Sequence, residues 1–219
     1  YHLLVPDLPG QGKSVDDGPF EFGKAARTVA ELIRGRAHSG KAHVAGLSLG
    51  AQTLIHLLAV APQVVTSAFA TGTLARKLPG AGLIRPTLAL YDPFKNLPFM
   101  IRANMMSLGV PKEYYDQFAA DTRATSVDAL TAILRENMTF EIPGGLERVT
   151  APVLLTVGEK EYGMMKAAAR ELAAKIPGAK AYAVSGAGHN WPIAQPDLYT
   201  RTLRAWIAGA PLSNELMLL

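Results

Sequence analysis

Short apolar runs alternate with segments of helical periodicity over much of the 219-residue chain. Strands and helices that alternate through brief loops form right-handed βαβ crossovers, which build a parallel sheet covered by helices on both faces. The alternation therefore predicts an α/β fold with a mostly parallel, doubly wound sheet. We predict strands at residues 2–5, 42–47, 64–70, 153–157 and 180–184, and helices at residues 22–36, 51–60, 164–175 and 196–207.

The alternation stops between residues 78 and 148. This segment is richer in Met, Tyr, Phe and Pro, and helical spacing recurs at residues 113–120 and 127–137. A long stretch of this kind inside a compact domain indicates an insertion rather than a continuation of the sheet. We predict a core formed by residues 1–77 and 149–219, with a helical insertion at residues 78–148.

The composition excludes several kinds of site. The chain has no cysteine, so a disulfide framework, a thiolate metal site and a cysteine nucleophile are ruled out. Its 22 Lys and Arg residues are scattered, without the basic run that is typical of a nucleic-acid-binding protein. The longest apolar stretch, residues 44–62, contains His56 and a Gly-Ser-Gly pattern, which indicates a buried strand and helix rather than a membrane span. No metal cluster, phosphate loop or dinucleotide fingerprint is recognisable, so we expect neither a metal nor a cofactor.

The pentapeptide Gly46-Leu47-Ser48-Leu49-Gly50 lies where a predicted strand meets a predicted helix. Gly-x-Ser-x-Gly in this position is typical of a nucleophile elbow, in which the serine stands on a sharp turn at the carboxyl edge of the sheet. We expect Cβ atoms at Gly46 and Gly50 to crowd that turn. The alternative is an ordinary turn in which Ser48 caps the following helix.

A serine nucleophile needs a base and a carboxylate that orients the base. His189 is the best candidate for the base, because the small residues at positions 186–188 lead to it from the last predicted strand. The acid is expected in the loop after residues 153–157, since the order in such sites is Ser, acid, His. No Asp occurs between residues 149 and 188, which leaves Glu159 and Glu161. The other histidines are expected to be structural: His2, His38, His43 and His56.

Four segments in this order resemble the α/β-hydrolase superfamily, in the branch with a serine nucleophile and a helical cap: residues 6–14, 46–50, 157–161 and 186–189. The resemblance spans nearly the whole chain and implies that residues 78–148 are the cap. It implies that Glu161 is the acid, since family members carry the acid three residues after the glycine of the third segment, where Asp is usual. It also implies that the backbone N–H of Leu49 forms part of the oxyanion hole.

The activity implied by the resemblance is that of a carboxylesterase-like hydrolase. Ser48, Glu161 and His189 would cleave a carboxylic ester or related acyl bond of a small apolar substrate through an acyl-enzyme. The alternatives are a carbon-carbon bond hydrolase, a lactonase or a cofactor-free perhydrolase on the same triad, or a non-catalytic ligand-binding relative. Ser48 argues against the related dehalogenases and epoxide hydrolases, which have Asp at this position.

Apolar side chains of the predicted cap are suited to binding an acyl or aromatic group. The same side chains would equally serve as the core of the cap itself. They are Phe94, Phe99, Met100, Met105, Met106 and Met138.

The chain begins in an apolar run that resembles the fourth strand of the family. Family members supply a second oxyanion donor from a His-Gly loop after the third strand, so we expect further strands and that donor upstream of Tyr1. With neither a signal peptide nor a membrane span recognisable, we expect a cytoplasmic location. The sequence predicts neither the identity of the substrate nor the oligomeric state.

Overall fold

The computed structural model describes all residues from Tyr1 to Leu219 and divides them into two compact units. The first unit consists of residues 1–4, 22–77 and 140–219. The second consists of residues 5–21 and 78–139, so it holds most of the predicted insertion together with a segment near the N-terminus. The assignment of the insertion as a cap stays a prediction.

The first unit is built on a five-stranded sheet in the order β1-β2-β3-β4-β5. The first four strands pair in parallel and β5 pairs antiparallel to β4, which confirms the predicted mostly parallel sheet. The antiparallel edge strand was not predicted. The strands are β1 (Ala42–Leu47), β2 (Val65–Thr71), β3 (Val153–Gly158), β4 (Lys180–Val184) and β5 (Leu216–Leu218).

Helices alternate with the strands in the first unit and make up most of the second. In the first unit, α1 (Phe22–Arg36) and α2 (Leu49–Val60) come first. The second unit holds α3 (Ile84–Tyr91), α4 (Pro98–Leu108), α5 (Tyr115–Ala124) and α6 (Val127–Met138). The first unit resumes with α7 (Gly163–Lys175), α8 (Trp191–Ala194) and α9 (Pro196–Ala208). No helix combines the length and the apolar character needed to cross a membrane.

The strands that carry the candidate site are held in a well-packed core. β3 is buried along its whole length, as expected for an interior strand of a parallel sheet. Leu54, Ile55 and Leu58 of α2 are at most 2% exposed. Full burial of such a side chain contributes roughly 1.5–3 kcal/mol relative to leaving it in water. β3 and α2, which lead into two of the loops of the candidate site, are therefore packed in the core.

The predicted strand at residues 2–5 is wrong. Residues 1–8 have no regular secondary structure, and the side chains of Leu3 and Val5 are 77% and 90% exposed. An apolar run becomes a strand only when a neighbouring strand accepts and donates its backbone hydrogen bonds. β1 pairs with β2 alone, so this run has no partner in the sheet.

The second unit has a small core of its own, formed by Ile101 and Met105 of α4 with Ala119 of α5. Ser126 caps α6 by accepting a hydrogen bond from the backbone N–H of Ala129 at 3.0 Å. Helices α3 and α4 were not predicted. Pro98 opens α4, where its missing N–H costs nothing, although prolines in a sequence usually suggest a loop.

Candidate active site

Ser48 forms the whole turn between β1, which ends at Leu47, and α2, which begins at Leu49. Its backbone has φ 54° and ψ −113°, and it is the one non-glycine residue with a positive φ. Such a conformation costs roughly 1–3 kcal/mol and persists where the surrounding structure enforces it, commonly at functional sites. The side chain makes no capping hydrogen bond to α2, so the alternative of an ordinary capping serine does not describe this turn.

The two glycines of the pentapeptide differ in what they allow. A Cβ atom at Gly46 would lie 2.4 Å from the carbonyl oxygen of Gly50, so only glycine fits there. A Cβ atom at Gly50 would meet nothing within 4 Å. The expectation of crowding is therefore confirmed at Gly46 and wrong at Gly50. The carbonyl group of Gly50 packs against Gly46, whereas the position of a Cβ atom on Gly50 itself is open.

His189 and Glu161 form a hydrogen-bonded pair. Nδ1 of His189 lies 2.6 Å from Oε2 of Glu161, and Oε1 of Glu161 accepts the backbone N–H of Gly158 at 2.8 Å. The Glu161 side chain is only 4% exposed, and that of His189 is 38% exposed. The hydrogen bond to Glu161 raises the pKa of His189 above its ordinary value, although partial burial opposes the shift. Since Nδ1 is engaged, Nε2 is the ring nitrogen left for proton transfer.

Glu159 has different partners. Its Oε2 accepts the backbone N–H of Gly186 at 2.6 Å and lies 3.4 Å from Oγ of Ser185. Of the two glutamates that the sequence left open, Glu161 is therefore the one in contact with His189.

The carboxyl end of β2 brings Ser48 and His189 into the same neighbourhood. The backbone N–H of Ser48 donates to the carbonyl oxygen of Thr71 at 2.8 Å. At the next residue, a Cβ atom on Gly72 would lie 2.7 Å from Cε1 of His189, so the imidazole packs directly against this glycine. The buried hydroxyls of Thr71 and Thr156, 2.8 Å apart, form a hydrogen bond that joins β2 to β3.

Leu49 supplies the first backbone N–H of α2. The first four N–H groups of a helix have no partner within it, and the positive end of the helix dipole lies there. The N–H of Leu49 is therefore one of the donors at the start of α2, and its predicted role in an oxyanion hole stays a prediction. The structure thus brings Ser48, Leu49, Glu161 and His189 to one edge of the sheet.

Sequence reasoning missed the contributions of Gly72 and Gly158. A Cβ atom at Gly158 would lie 2.4 Å from the carbonyl oxygen of Gly188, so the loops after β3 and β4 touch backbone to backbone. Gly72 has φ +68° and leaves room for the His189 ring. The only sequence signal was a glycine at the end of a buried apolar run in each case.

The remaining histidines have structural partners. Nδ1 of His43 lies 2.8 Å from Oγ of Ser67, and the rings of His2 and His38 are 5.2 Å apart. His56 stacks on Phe22 at 5.1 Å, and its burial lowers its pKa. No group of three or more His, Asp or Glu side chains is arranged to hold a metal ion.

The six predicted pocket residues lie in different environments within the second unit. Met105 belongs to the core of that unit and is 4% exposed. Phe94, Phe99 and Met106 are 52%, 62% and 80% exposed, and Met100 and Met138 are half-buried. A role for these side chains in substrate binding stays a prediction.

Comparison with known proteins decides the family. Residues 1–202 match the model of the alpha/beta hydrolase family. This chain belongs to the alpha/beta hydrolase family. A curated relative, an AB hydrolase superfamily protein of Gibberella zeae, is 43% identical over 72 residues, which are 33% of this chain and 26% of the relative. The chain therefore aligns with about a quarter of that protein.

Two solved structures have a similar fold. One is a thermophilic esterase from Thermogutta terrifontis, with a TM-score of 0.71 and 20% identity over 94% of this chain and 79% of the esterase. The other is BpoC from Mycobacterium tuberculosis H37Rv, described as a non-heme bromoperoxidase, with a TM-score of 0.69 and 21% identity over 93% of this chain and 80% of BpoC. At this level of identity the likeness shows the fold. It confirms the predicted α/β-hydrolase fold.

Proposed function

We propose that this alpha/beta hydrolase uses Ser48 as a nucleophile to cleave a carboxylic ester or related acyl bond of a small apolar substrate. The observation that carries the proposal is the 2.6 Å hydrogen bond between Glu161 and His189 at the sheet edge that also bears Ser48. A serine, a histidine and a buried carboxylate in this chain order are the components of an acyl-transfer site on such a sheet.

The chemistry begins with proton transfer. Nε2 of His189 takes the proton from Oγ of Ser48 as that oxygen attacks the carbonyl carbon of the substrate. The protonated His189 then gives the proton to the leaving alcohol oxygen as the ester C–O bond breaks, which leaves an acyl group on Ser48. A water molecule, deprotonated by the same His189, hydrolyses the acyl-enzyme and restores the serine.

Glu161 makes this cycle efficient in two ways. Its hydrogen bond to Nδ1 holds the ring in the tautomer that exposes an unprotonated Nε2. The hydrogen bond and the negative charge of Glu161 stabilise the imidazolium that forms during each step, which is why the pKa of His189 is raised. Burial of the Glu161 side chain keeps water from competing for the carboxylate.

The oxyanion formed on the substrate is stabilised by the N–H of Leu49 at the start of α2. A donor of this kind acts without reorganisation because the turn fixes its direction before the substrate arrives. Loss of one such donor typically slows an acyl-transfer enzyme by about 10² to 10³.

The test is hydrolysis of p-nitrophenyl acetate, butyrate and octanoate by the protein and its variants. Ser48→Ala and His189→Gln should lower turnover to the level of the buffer, because no activated nucleophile remains. Ser39→Ala is the matched control, since Ser39 is an exposed serine of the same unit whose hydroxyl contacts only the backbone of Lys41. Turnover by Ser48→Ala equal to that of Ser39→Ala would contradict the proposal.

A substrate panel distinguishes the activities that share this triad. Lactones test for a lactonase, and β-diketones test for a carbon-carbon bond hydrolase. A perhydrolysis assay with acetate and peroxide tests for a perhydrolase. The proposal predicts that simple esters give the highest kcat/KM. A folded protein that turns over no member of the panel would favour the non-catalytic ligand-binding alternative.

A further inference from the structure

The loop that carries Glu161 is bonded to the loop that carries His189 at successive residues. The backbone N–H of Glu159 donates to the carbonyl oxygen of Val184 at 2.9 Å, and that of Lys160 donates to the carbonyl oxygen of Ala187 at 2.8 Å. These two hydrogen bonds join the loop after β3 to the end of β4 and to the loop that follows β4.

The segment before His189 is anchored at Ala187, which is 2% exposed and whose carbonyl oxygen accepts the N–H of Lys160, but its two glycines have no side chains to pack. Residues 186–188 are Gly, Ala and Gly. A Cβ atom added at either glycine would meet no atom within 4 Å. Gly186 has φ +66°, a conformation that other residues adopt at a cost. Glycine has many accessible backbone conformations, so a hydrogen bond at Gly186 helps to select one of them.

The carboxylate of Glu159 provides the hydrogen bond at Gly186. Its Oε2 accepts the N–H of Gly186 at 2.6 Å and lies 3.4 Å from Oγ of Ser185. A charged acceptor forms stronger hydrogen bonds with N–H and O–H donors than a neutral one. Glu159 therefore fixes the first residue of the small-residue loop, three positions before His189.

We propose that Glu159 is a positioning residue, which anchors residues 185–186 and thereby holds Nδ1 of His189 at hydrogen-bonding distance from Glu161. The two glutamates of the loop after β3 have separate roles, since Glu161 binds the imidazole and Glu159 binds the backbone that delivers it. The proposal rests on the proposed function only in so far as His189 is the base, because the loop geometry is independent of the substrate.

The first test measures the geometry without a substrate. NMR titration of the His189 ring is compared in the unaltered protein, Glu159→Ala, Glu159→Gln and Glu171→Ala. In Glu159→Ala the pKa of His189 should shift downward, because a mobile loop loses part of the Glu161 hydrogen bond that raises it. Glu159→Gln should retain the raised pKa, since its amide oxygen still accepts the N–H of Gly186. Glu171→Ala is the control, as Glu171 lies in α7 and bonds to Arg76.

The second test measures ester hydrolysis in the same variants. Glu159→Ala should lower kcat roughly three- to tenfold with little change in KM, which is the effect expected for loss of one exposed, charge-assisted hydrogen bond. The acid limb of its pH profile should move to lower pH along with the pKa of His189. Glu159→Gln should lower kcat less, by about two- to threefold, because a neutral acceptor retains roughly half the strength of the bond.

Two results would overturn the proposal. One is a Glu159→Ala protein that melts at a lower temperature but keeps the titration of His189 and the pH profile unchanged, which would make Glu159 merely structural. The other is an equal loss in Glu159→Gln and Glu159→Ala, which would mean that the charge rather than the anchored backbone matters. If the protein hydrolyses no ester, the proposed function fails while the NMR titration still decides the role of Glu159.

Discussion

Gly72 controls where the His189 ring can lie, and replacing it tests the geometry of the site. In Gly72→Ala the new methyl carbon would lie 2.7 Å from Cε1 and 2.9 Å from Nδ1 of His189. Non-bonded carbon atoms prefer a separation of about 3.5–4.0 Å, so the ring must retreat by roughly 1 Å. A displacement of that size in a group that transfers a proton lowers the rate by about 10²-fold. We therefore expect kcat/KM for a p-nitrophenyl ester to fall by about two orders of magnitude.

The same substitution also strains the backbone, and Gly178→Ala separates the two effects. Gly72 and Gly178 have nearly the same φ, +68° and +70°, but a Cβ atom at Gly178 meets nothing within 4 Å. Both variants should lose about 1–2 kcal/mol in the free energy of unfolding, because an L-residue is placed in the left-handed region. Only Gly72→Ala should lose activity. Equal activity in the two folded variants would refute the placement of the His189 ring against Gly72.

Three further predictions concern the elbow, the acid and the half-buried His56. Gly46→Ala should lower the free energy of unfolding by about 1–3 kcal/mol, because the new Cβ atom meets the Gly50 backbone. Gly50→Ala should be tolerated, since a Cβ atom there meets nothing within 4 Å. Chemical denaturation of the two variants measures the difference. Glu161→Gln should lower kcat by roughly 10² to 10⁴ and move the acid limb of the rate profile to lower pH. Glu161 raises the pKa of His189 in the folded state, so their contact stabilises the fold below the ordinary histidine pKa. This contribution to the free energy of unfolding is lost as the pH rises through the pKa of the folded state. Glu161→Gln should remove this pH dependence of the free energy of unfolding. Burial lowers the pKa of His56, so the unfolded chain binds the proton more readily than the folded protein does. The free energy of unfolding therefore falls as the pH drops below about 6.5. His56→Phe should reduce this loss of stability at acid pH while ester hydrolysis continues.

The sequence predicted the parts of the fold whose signals are local. β1, α2 and β3 lie within two residues of the predicted bounds, because continuous apolar runs and turn residues mark strands and helices buried in a parallel sheet. The run at residues 2–5 has the same local signal but no pairing partner, and no property of the run itself reveals that. β5 was missed for the opposite reason: three residues form a strand only because β4 offers them an edge.

The candidate site shows the same division. Ser48 and His189 were predicted as site residues because each stands in a glycine-containing motif that follows a predicted strand. The choice between Glu159 and Glu161 depended on which carboxylate points toward the imidazole and which toward the Gly186 backbone, which the residues alone left open. The role of Gly72 arises from packing between segments more than a hundred residues apart in the chain, so only the folded structure reveals it.

The most direct test of the central claim is covalent labelling with a fluorophosphonate, followed by peptide mass spectrometry. A serine activated by His189 should form one adduct per molecule on Ser48, and labelling should be abolished in Ser48→Ala, greatly slowed in His189→Gln and unchanged in Ser39→Ala. An adduct at another residue, or no adduct on a folded protein that hydrolyses esters, would contradict the assignment of Ser48 as the nucleophile.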